Sequence, residues 1–222
     1  MSMRTRRPAR RALQAIAAAG TAAVAVGLLP AAAGAQETRE AAPVAATEVT
    51  EAAKAKNFTY LSFKKNKKNP SNSRLSLVFV QQVNPDKVRT WTVDTWRAGS
   101  GLGTAKNKIG RNACVSNVGW LPNGTYKIKG YYNNFDGRIK GHVWQLQDMR
   151  CKNGGKKGTK RDALFIHSEM RRDGSRGTSE PQRWDGNSDY LSEGCIKLKP
   201  ADIRELRDYR SVYPRPSKLY VS

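Results

Sequence analysis

Cys195 follows Gly194 directly in the run Ser192, Glu193, Gly194, Cys195, and His167 closes the apolar run Ala163, Leu164, Phe165, Ile166. A thiol with an imidazole suffices for covalent acyl transfer. The thiol is mostly protonated near neutral pH and needs a neighbouring base or cation to act as a nucleophile. The chain offers two histidines. His142 sits inside Gly141, His142, Val143, Trp144, an ordinary strand pattern. His167 ends an apolar run and opens a polar loop, the place where a strand delivers a side chain to a site, so His167 is favoured as the base. A histidine merely satisfied at a strand end is the bland alternative. Gly194 lets the backbone turn closely, so that the amides of Gly194 and Cys195 can face a developing oxyanion. Two histidines without CxxC or HxH spacing do not make a tetrahedral zinc set, and no metal is expected.

The other two cysteines, Cys114 and Cys151, lie outside this stretch. An exported chain with three cysteines leaves one over after pairing. A Cys114 to Cys151 disulfide is therefore expected, with Cys195 as the odd thiol; a free buried cysteine is the plainer reading, and a liability in an oxidising compartment. Export is read from the first residues. Arg4, Arg6, Arg7, Arg10 and Arg11 precede an acid-free apolar run from Ala12 to Ala33 that closes on Ala33, Gly34, Ala35. That pattern predicts a signal peptide over residues 1–35, a retained anchor being the alternative. The export route stays open between a general and a twin-arginine signal. Residues 36–56 are Ala, Glu, Thr and Pro with almost no large apolar side chain, a flexible linker. Residues 57–222 then form one domain.

The elements that must position the thiol and imidazole are short and alternating. Leu75, Leu77 and Phe79, then Trp91, Val93 and Thr95, then Tyr126, Ile128 and Gly130, then Val143, Gln145 and Gln147 read as strands. Turn residues separate them at Asn84 and Pro85, Gly99 to Gly103, Pro122 to Gly124, and Asp136 and Gly137. The expected fold is mainly β, a sandwich or barrel. One helix is expected over Ala201 to Tyr209, with Pro200 at its first position, Asp202 in the first turn and Arg207 and Arg210 at its end. Leu219 and Val221 suit a last strand. The polar, Gly-rich stretch from Glu169 to Tyr190 has no periodicity and reads as a lid, or as a disordered surface insertion.

Ser192, Glu193, Gly194, Cys195, Ile196, Lys197, Leu198, preceded by Ile166, His167, Ser168, resembles the signature of the L,D-transpeptidase (YkuD-type) catalytic domain family. Trp120 to Tyr126 is similar to that family's Pro-x-Gly-x-Tyr turn. The resemblance implies a β-sandwich or barrel-like enzyme acting on peptidoglycan stem peptides, with Cys195 as nucleophile, His167 as base, and Ser168 as the residue whose carbonyl orients the imidazole. It implies 3→3 crosslinks when an amine accepts the acyl group, stem trimming (L,D-carboxypeptidase) when water does, and no cofactor. Ser192, Lys197, Arg183 and Trp184 are candidate substrate-binding residues, with Arg171 and Arg172 beside the last two; solvated charge is the plainer reading of each. Two departures stand out. Glu193 occupies a position where many members carry histidine, and Lys197 one where they carry Arg or Asn. A carboxylate beside the thiol raises its pKa. The 28 positions from His167 to Cys195 exceed the usual interval, and Glu169 to Tyr190 absorbs the excess.

The formal net charge is +22. Eight of the 40 basic and four of the 18 acidic residues precede Asn57, which leaves the domain at +18. Such charge suits a polyanionic partner. For a secreted, extracytoplasmic and wall-associated protein that means anionic wall polymers beside the peptidoglycan, with no specific nucleic acid and no membrane span after signal cleavage. Two competing classes remain: a catalytically impaired basic module that binds the wall, and a secreted nucleic-acid binder. The second has charge in its favour but neither a metal-carboxylate cluster nor an aromatic-basic motif.

Overall fold

The computed structural model describes residues 57–153 and 156–222. The signal peptide and linker expectations fall on residues 1–56, outside the described residues.

Ten strands are present: β1 (Phe58–Lys64), β2 (Ser73–Asn84), β3 (Lys87–Gly99), β4 (Gly124–Asp136), β5 (Lys140–Leu146), β6 (Met149–Asn153), β7 (Lys156–Arg161), β8 (Phe165–His167), β9 (Ile196–Leu198) and β10 (Lys218–Val221). Eight of them close a barrel in the order β1, β10, β4, β5, β8, β9, β3, β2, and β6 with β7 forms a separate hairpin. Closure removes the unpaired edges that an open sheet would present. The domain is thus mainly β, as the alternating apolar pattern predicts. Period-2 alternation puts Leu61, Phe63, Leu75, Leu77, Trp96, Tyr126, Trp144, Ile166, Ile196, Leu198 and Leu219 inside, all almost fully buried. A register shift between Leu77 and Val78 marks a bulge in the long β2 to β3 ribbon, after which Val78, Phe79 and Val80 are all buried.

Helix α2 (Pro200–Asp208) begins on Pro200, carries Asp202 in its first turn and Arg207 in its last, and buries Ile203 and Leu206 in the same core. Burying a side chain of this size contributes roughly 1.5–3 kcal/mol before entropy is subtracted. Between Cys195 and this helix lies strand β9. Three continuous apolar or amphipathic residues are too few to display a period, which is why the sequence hides β9.

The stretch from Glu169 to Tyr190 also departs from the expectation of a structureless loop. It contains the one-turn helix α1 (Glu180–Arg183) and a 3-10 turn at Ser188–Tyr190, and it buries Met170, Trp184 and Tyr190. Tyr190 packs so closely on Gly99 that a Cβ there would lie 2.1 Å from the Tyr190 carbonyl oxygen. Arg97 stacks on the Tyr190 ring at 4.0 Å. The segment is a packed cover on the barrel's outside, anchored by aromatic and cation-π contacts.

Candidate active site

Strands β8 and β9 run parallel, with Ile166 opposite Ile196 and His167 opposite Lys197. Since side chains alternate along each strand, one face of the pair carries Ile166, Ile196 and Leu198 into the core. Phe165 and His167 of β8, Lys197 of β9 and Cys195 just before it then share the outer face. All four line one cavity of about 580 Å³, together with Ala163, Ser192, Glu193, Glu169 and the tip of the β4 to β5 hairpin at Gly137, Arg138 and Ile139. An imidazole on the outside of a barrel would ordinarily be wet. His167 is nonetheless almost fully buried.

His167 Nδ1 lies 3.1 Å from the Ser168 carbonyl oxygen. A carbonyl can only accept, so Nδ1 carries the hydrogen and Nε2 keeps its lone pair. Burial pulls the His167 pKa down to about 4, aided by Lys197 and opposed by Glu169 and the Ser168 carbonyl. Burial likewise pushes the Cys195 thiol up to about 11; the Glu193 carboxylate adds to this, while the Phe165 amide, Arg161 and Lys197 oppose it. The resting pair is therefore a neutral thiol and a neutral imidazole. The thiol donates to the Ala163 carbonyl at 3.6 Å, and Ala163 itself takes a left-handed backbone at φ 49°.

The turn before the thiol is held by two serines. Ser192 Oγ donates to the Cys195 carbonyl at 2.6 Å and accepts the Gly101 amide at 3.3 Å. Ser100 Oγ donates to the Gly194 carbonyl at 3.4 Å and accepts the Leu121 amide at 2.9 Å. Gly194 has φ 120°, a conformation that side chains rarely adopt.

The structure separates the remaining sequence candidates. Ser192 lines the cavity, yet both its hydrogen bonds go to backbone. Lys197 is nearly buried; its ammonium donates to the Leu191 carbonyl at 3.2 Å and pairs with Glu169 at 3.0 Å, which ties the cover segment to β9. Arg183 and Trp184, also candidates for substrate binding, are not among the residues that line the cavity. Arg183 pairs with Glu180 and Asp185 at the surface, and Trp184 turns inward against Tyr190 at 5.1 Å. Apolar burial of the indole outweighs its exposure to a polar ligand in this segment. Arg171 and Arg172 line a different, shallow depression. Cys114 and Cys151 form a disulfide, which joins the segment before β4 to the β6 to β7 hairpin. Among the described residues, no three His, Cys, Asp or Glu side chains converge as a metal site would require.

Sequence reasoning missed Arg161. It ends the strongly basic strand β7 and looks there like another solvated cation, yet it is only 3% exposed. Its guanidinium spans the Ala113, Gly119, Trp120 and Glu193 carbonyls. It also missed Arg138, which reaches across the cavity mouth to pair with Glu193 at 2.8 Å.

A closed barrel that sets a thiol and a singly oriented imidazole on neighbouring parallel strands has the architecture of a cysteine acyl-transfer domain. The model of the L,D-transpeptidase catalytic domain (YkuD) matches residues 79–213, more than half of the chain, and the protein belongs to that family. Members are cysteine-dependent L,D-transpeptidases, with a general role in the peptidoglycan cell wall. The matched span contains Arg161, His167 and Cys195; it leaves out β1 and β10, the two strands that close the barrel. Among curated proteins, none matches the chain. No helix of the described residues is long and apolar enough to cross a membrane.

Proposed function

We propose that the protein is an L,D-transpeptidase or L,D-carboxypeptidase whose Cys195 carries the acyl group of a peptidoglycan stem as a thioester. The observation that supports this most is the β8 to β9 register, which brings Cys195 and His167 to one face, with the imidazole's free nitrogen available once Nδ1 is held by Ser168. The sulfur attacks the carbonyl carbon after the third stem residue while the thiol proton passes to His167 Nε2. The tetrahedral oxyanion meets the Gly194 and Cys195 amides. Its collapse breaks the C–N bond, and the proton on His167 goes to the departing D-alanine amine. A stem amine then attacks the thioester, giving its proton to His167 and a 3→3 crosslink; water in its place gives the trimmed stem. The thiolate released recovers its proton from His167. No cofactor takes part in this reading. It places the domain of residues 57–222 outside the cytoplasm, behind a signal peptide over residues 1–35 and a linker over 36–56. The charge of +18 on that domain suits retention by anionic wall polymers.

The test is the intact mass of the mature domain after incubation with a carbapenem, beside Cys195→Ala and His167→Ala. A stable adduct that needs Cys195 and slows without His167 is expected. Product analysis with tetrapeptide muropeptides then separates crosslinking from trimming. A folded protein that forms no adduct and releases no D-alanine would leave the basic wall-binding module in its place.

A further inference from the structure

The β6 to β7 hairpin stands outside the barrel and contributes no core strand, yet it delivers Arg161 to the floor of the nucleophile turn. Nη1 donates to the Ala113 carbonyl at 2.6 Å and the Trp120 carbonyl at 3.5 Å. Nη2 donates to the Gly119 carbonyl at 3.1 Å and the Glu193 carbonyl at 3.2 Å. Three chain segments meet on this one planar group: the hairpin, the stretch from Ala113 to Trp120, and the turn that carries the thiol. The Nη2 end of the guanidinium points at Gly194, where a Cβ would fall 2.1 Å from Nη2. Glycine is required there by this close approach as well as by its φ.

Arg161 has no carboxylate ion-pair partner among the described residues, although it is almost completely buried. A buried cation satisfied by carbonyl dipoles alone is costly, and an adjacent negative charge relieves that cost. The sulfur of Cys195 is such a neighbour once it ionises, and each feels the other's charge. The disulfide acts on the same arrangement from behind. Cys114 follows Ala113, whose carbonyl takes the shortest of the four bonds, and Cys151 sits on the strand paired with β7. The covalent link thus keeps the acceptors and the strand that bears the donor in one place.

We infer that Arg161 is the positioning residue of this site: it fixes the Glu193 to Gly194 peptide so that the Gly194 and Cys195 amides face the cavity, and it stands as the cation behind the sulfur. The inference rests on Cys195 being the nucleophile proposed above. Its predicted signature divides two reactions of one thiol. Acylation builds an oxyanion and needs the aligned amides; alkylation by iodoacetamide needs only thiolate. Lysine at position 161 keeps a charge but cannot span the carbonyls with a planar fork.

The experiment measures carbapenem acylation (kinact/KI) and iodoacetamide alkylation from pH 6 to 10 on the mature protein, with Arg161→Lys and Arg161→Gln, each checked for a cooperative melt. Arg161→Lys is expected to lose acylation by about 10- to 100-fold, on the scale of a misplaced oxyanion donor, while its alkylation profile stays close to that of the unaltered protein. Arg161→Gln is expected to lose more acylation and to move the alkylation profile to higher pH. If the glutamine variant does not fold, the lysine variant decides alone. Equal losses of acylation and alkylation in Arg161→Lys overturn the positioning role, and so does acylation within threefold of the unaltered protein. Failure of the unaltered protein to acylate would count against the Cys195 reading instead, because it precedes any comparison of variants.

Discussion

The two histidines occupy clefts on different parts of the barrel, and by burial alone they are alike. His142 is 2% exposed and His167 4%, and burial is the largest cause lowering the pKa of each. His142 even lines the larger cavity, about 780 Å³, with Arg207, Arg210 and Asp208. Their nitrogens differ. Arg207 Nη1 lies 2.8 Å from His142 Nε2; a guanidinium only donates, so that lone pair is spent. His167 spends its hydrogen on the Ser168 carbonyl, which leaves the lone pair on Nε2, and it lines the same cavity as Cys195. A depressed pKa in a cleft thus does not identify a base. What separates the two is their surroundings, an arginine on Nε2 at His142 and a cavity shared with Cys195 at His167.

The sharpest way to break this comparison is to remove each imidazole in turn. His167→Gln should slow carbapenem acylation by about 10²- to 10³-fold, within the usual range for a lost general base. His142→Gln should leave acylation of the folded fraction within about threefold and lower the melting temperature, since it removes a part-buried contact with Arg207 worth about 1 kcal/mol. Single-turnover mass spectrometry with a thermal melt reads both. The reverse pattern, acylation lost with His142 and kept without His167, would move the base to the other cleft.

Acid stability gives a second comparison of the same pair. Folded His167 titrates at about 4, whereas an unfolded histidine titrates near 6.5. Between those values the unfolded chain holds a proton that the folded chain lacks. Stability is therefore full above about pH 6.5 and falls as pH drops toward 4, by about 3 kcal/mol for His167. The lowered pKa of His142 adds a term of the same sign. Urea midpoints from pH 4 to 7 should fall steeply, and His167→Gln should flatten that slope more than His142→Gln. An unchanged slope in His167→Gln would mean that the imidazole is hydrated beneath the cover segment.

What the sequence exposed of all this follows from the range of the interactions concerned. β2, β3 and β4 are readable because apolar residues recur at every second position in part of each, at Leu75, Leu77 and Phe79, at Trp91 and Val93, and at Tyr126 and Ile128, whereas β5 buries four residues in a row from Gly141 to Trp144. α2 is readable because Pro200, Asp202 and Arg207 mark its ends locally. β6 and β7 are mostly Lys, Arg and other polar residues, although Met149 packs against the core, and nothing in Lys156–Arg161 separates Arg161 from the lysines around it. Its acceptors lie 32 to 48 positions away, a distance that only the folded chain closes. Trp184 and Arg183 are residue types suited to a binding loop, and they stand in a segment whose packing turns the indole inward and pairs the guanidinium with its own neighbours, a placement the sequence does not display. Cys195 and His167 were legible together through their local motifs, whereas the lone pair that separates His167 from His142 depends on Arg207, on a helix far along the chain.

The smallest expected effect concerns the charges that ring the two clefts. Around His142, Arg207 is paired with Asp208 at 2.7 Å, and no cysteine lines that cleft. At the thiol, Glu193 raises the Cys195 pKa by like-charge repulsion and is itself partly neutralised by Arg138, in a pair whose side chains are 46% and 83% exposed. Solvent screens such a pair, which is worth about 1 kcal/mol at most. Glu193→Gln should therefore lower the thiol pKa slightly and raise iodoacetamide alkylation at pH 7 by about two- to threefold. Arg138→Ala removes the cation and should slow alkylation by up to about twofold, with the difference shrinking as salt is added. If Glu193→Gln instead slows alkylation at every pH, the carboxylate serves the thiol by holding Arg138 across the cavity mouth, and the charge that matters at this edge of the site is the arginine's.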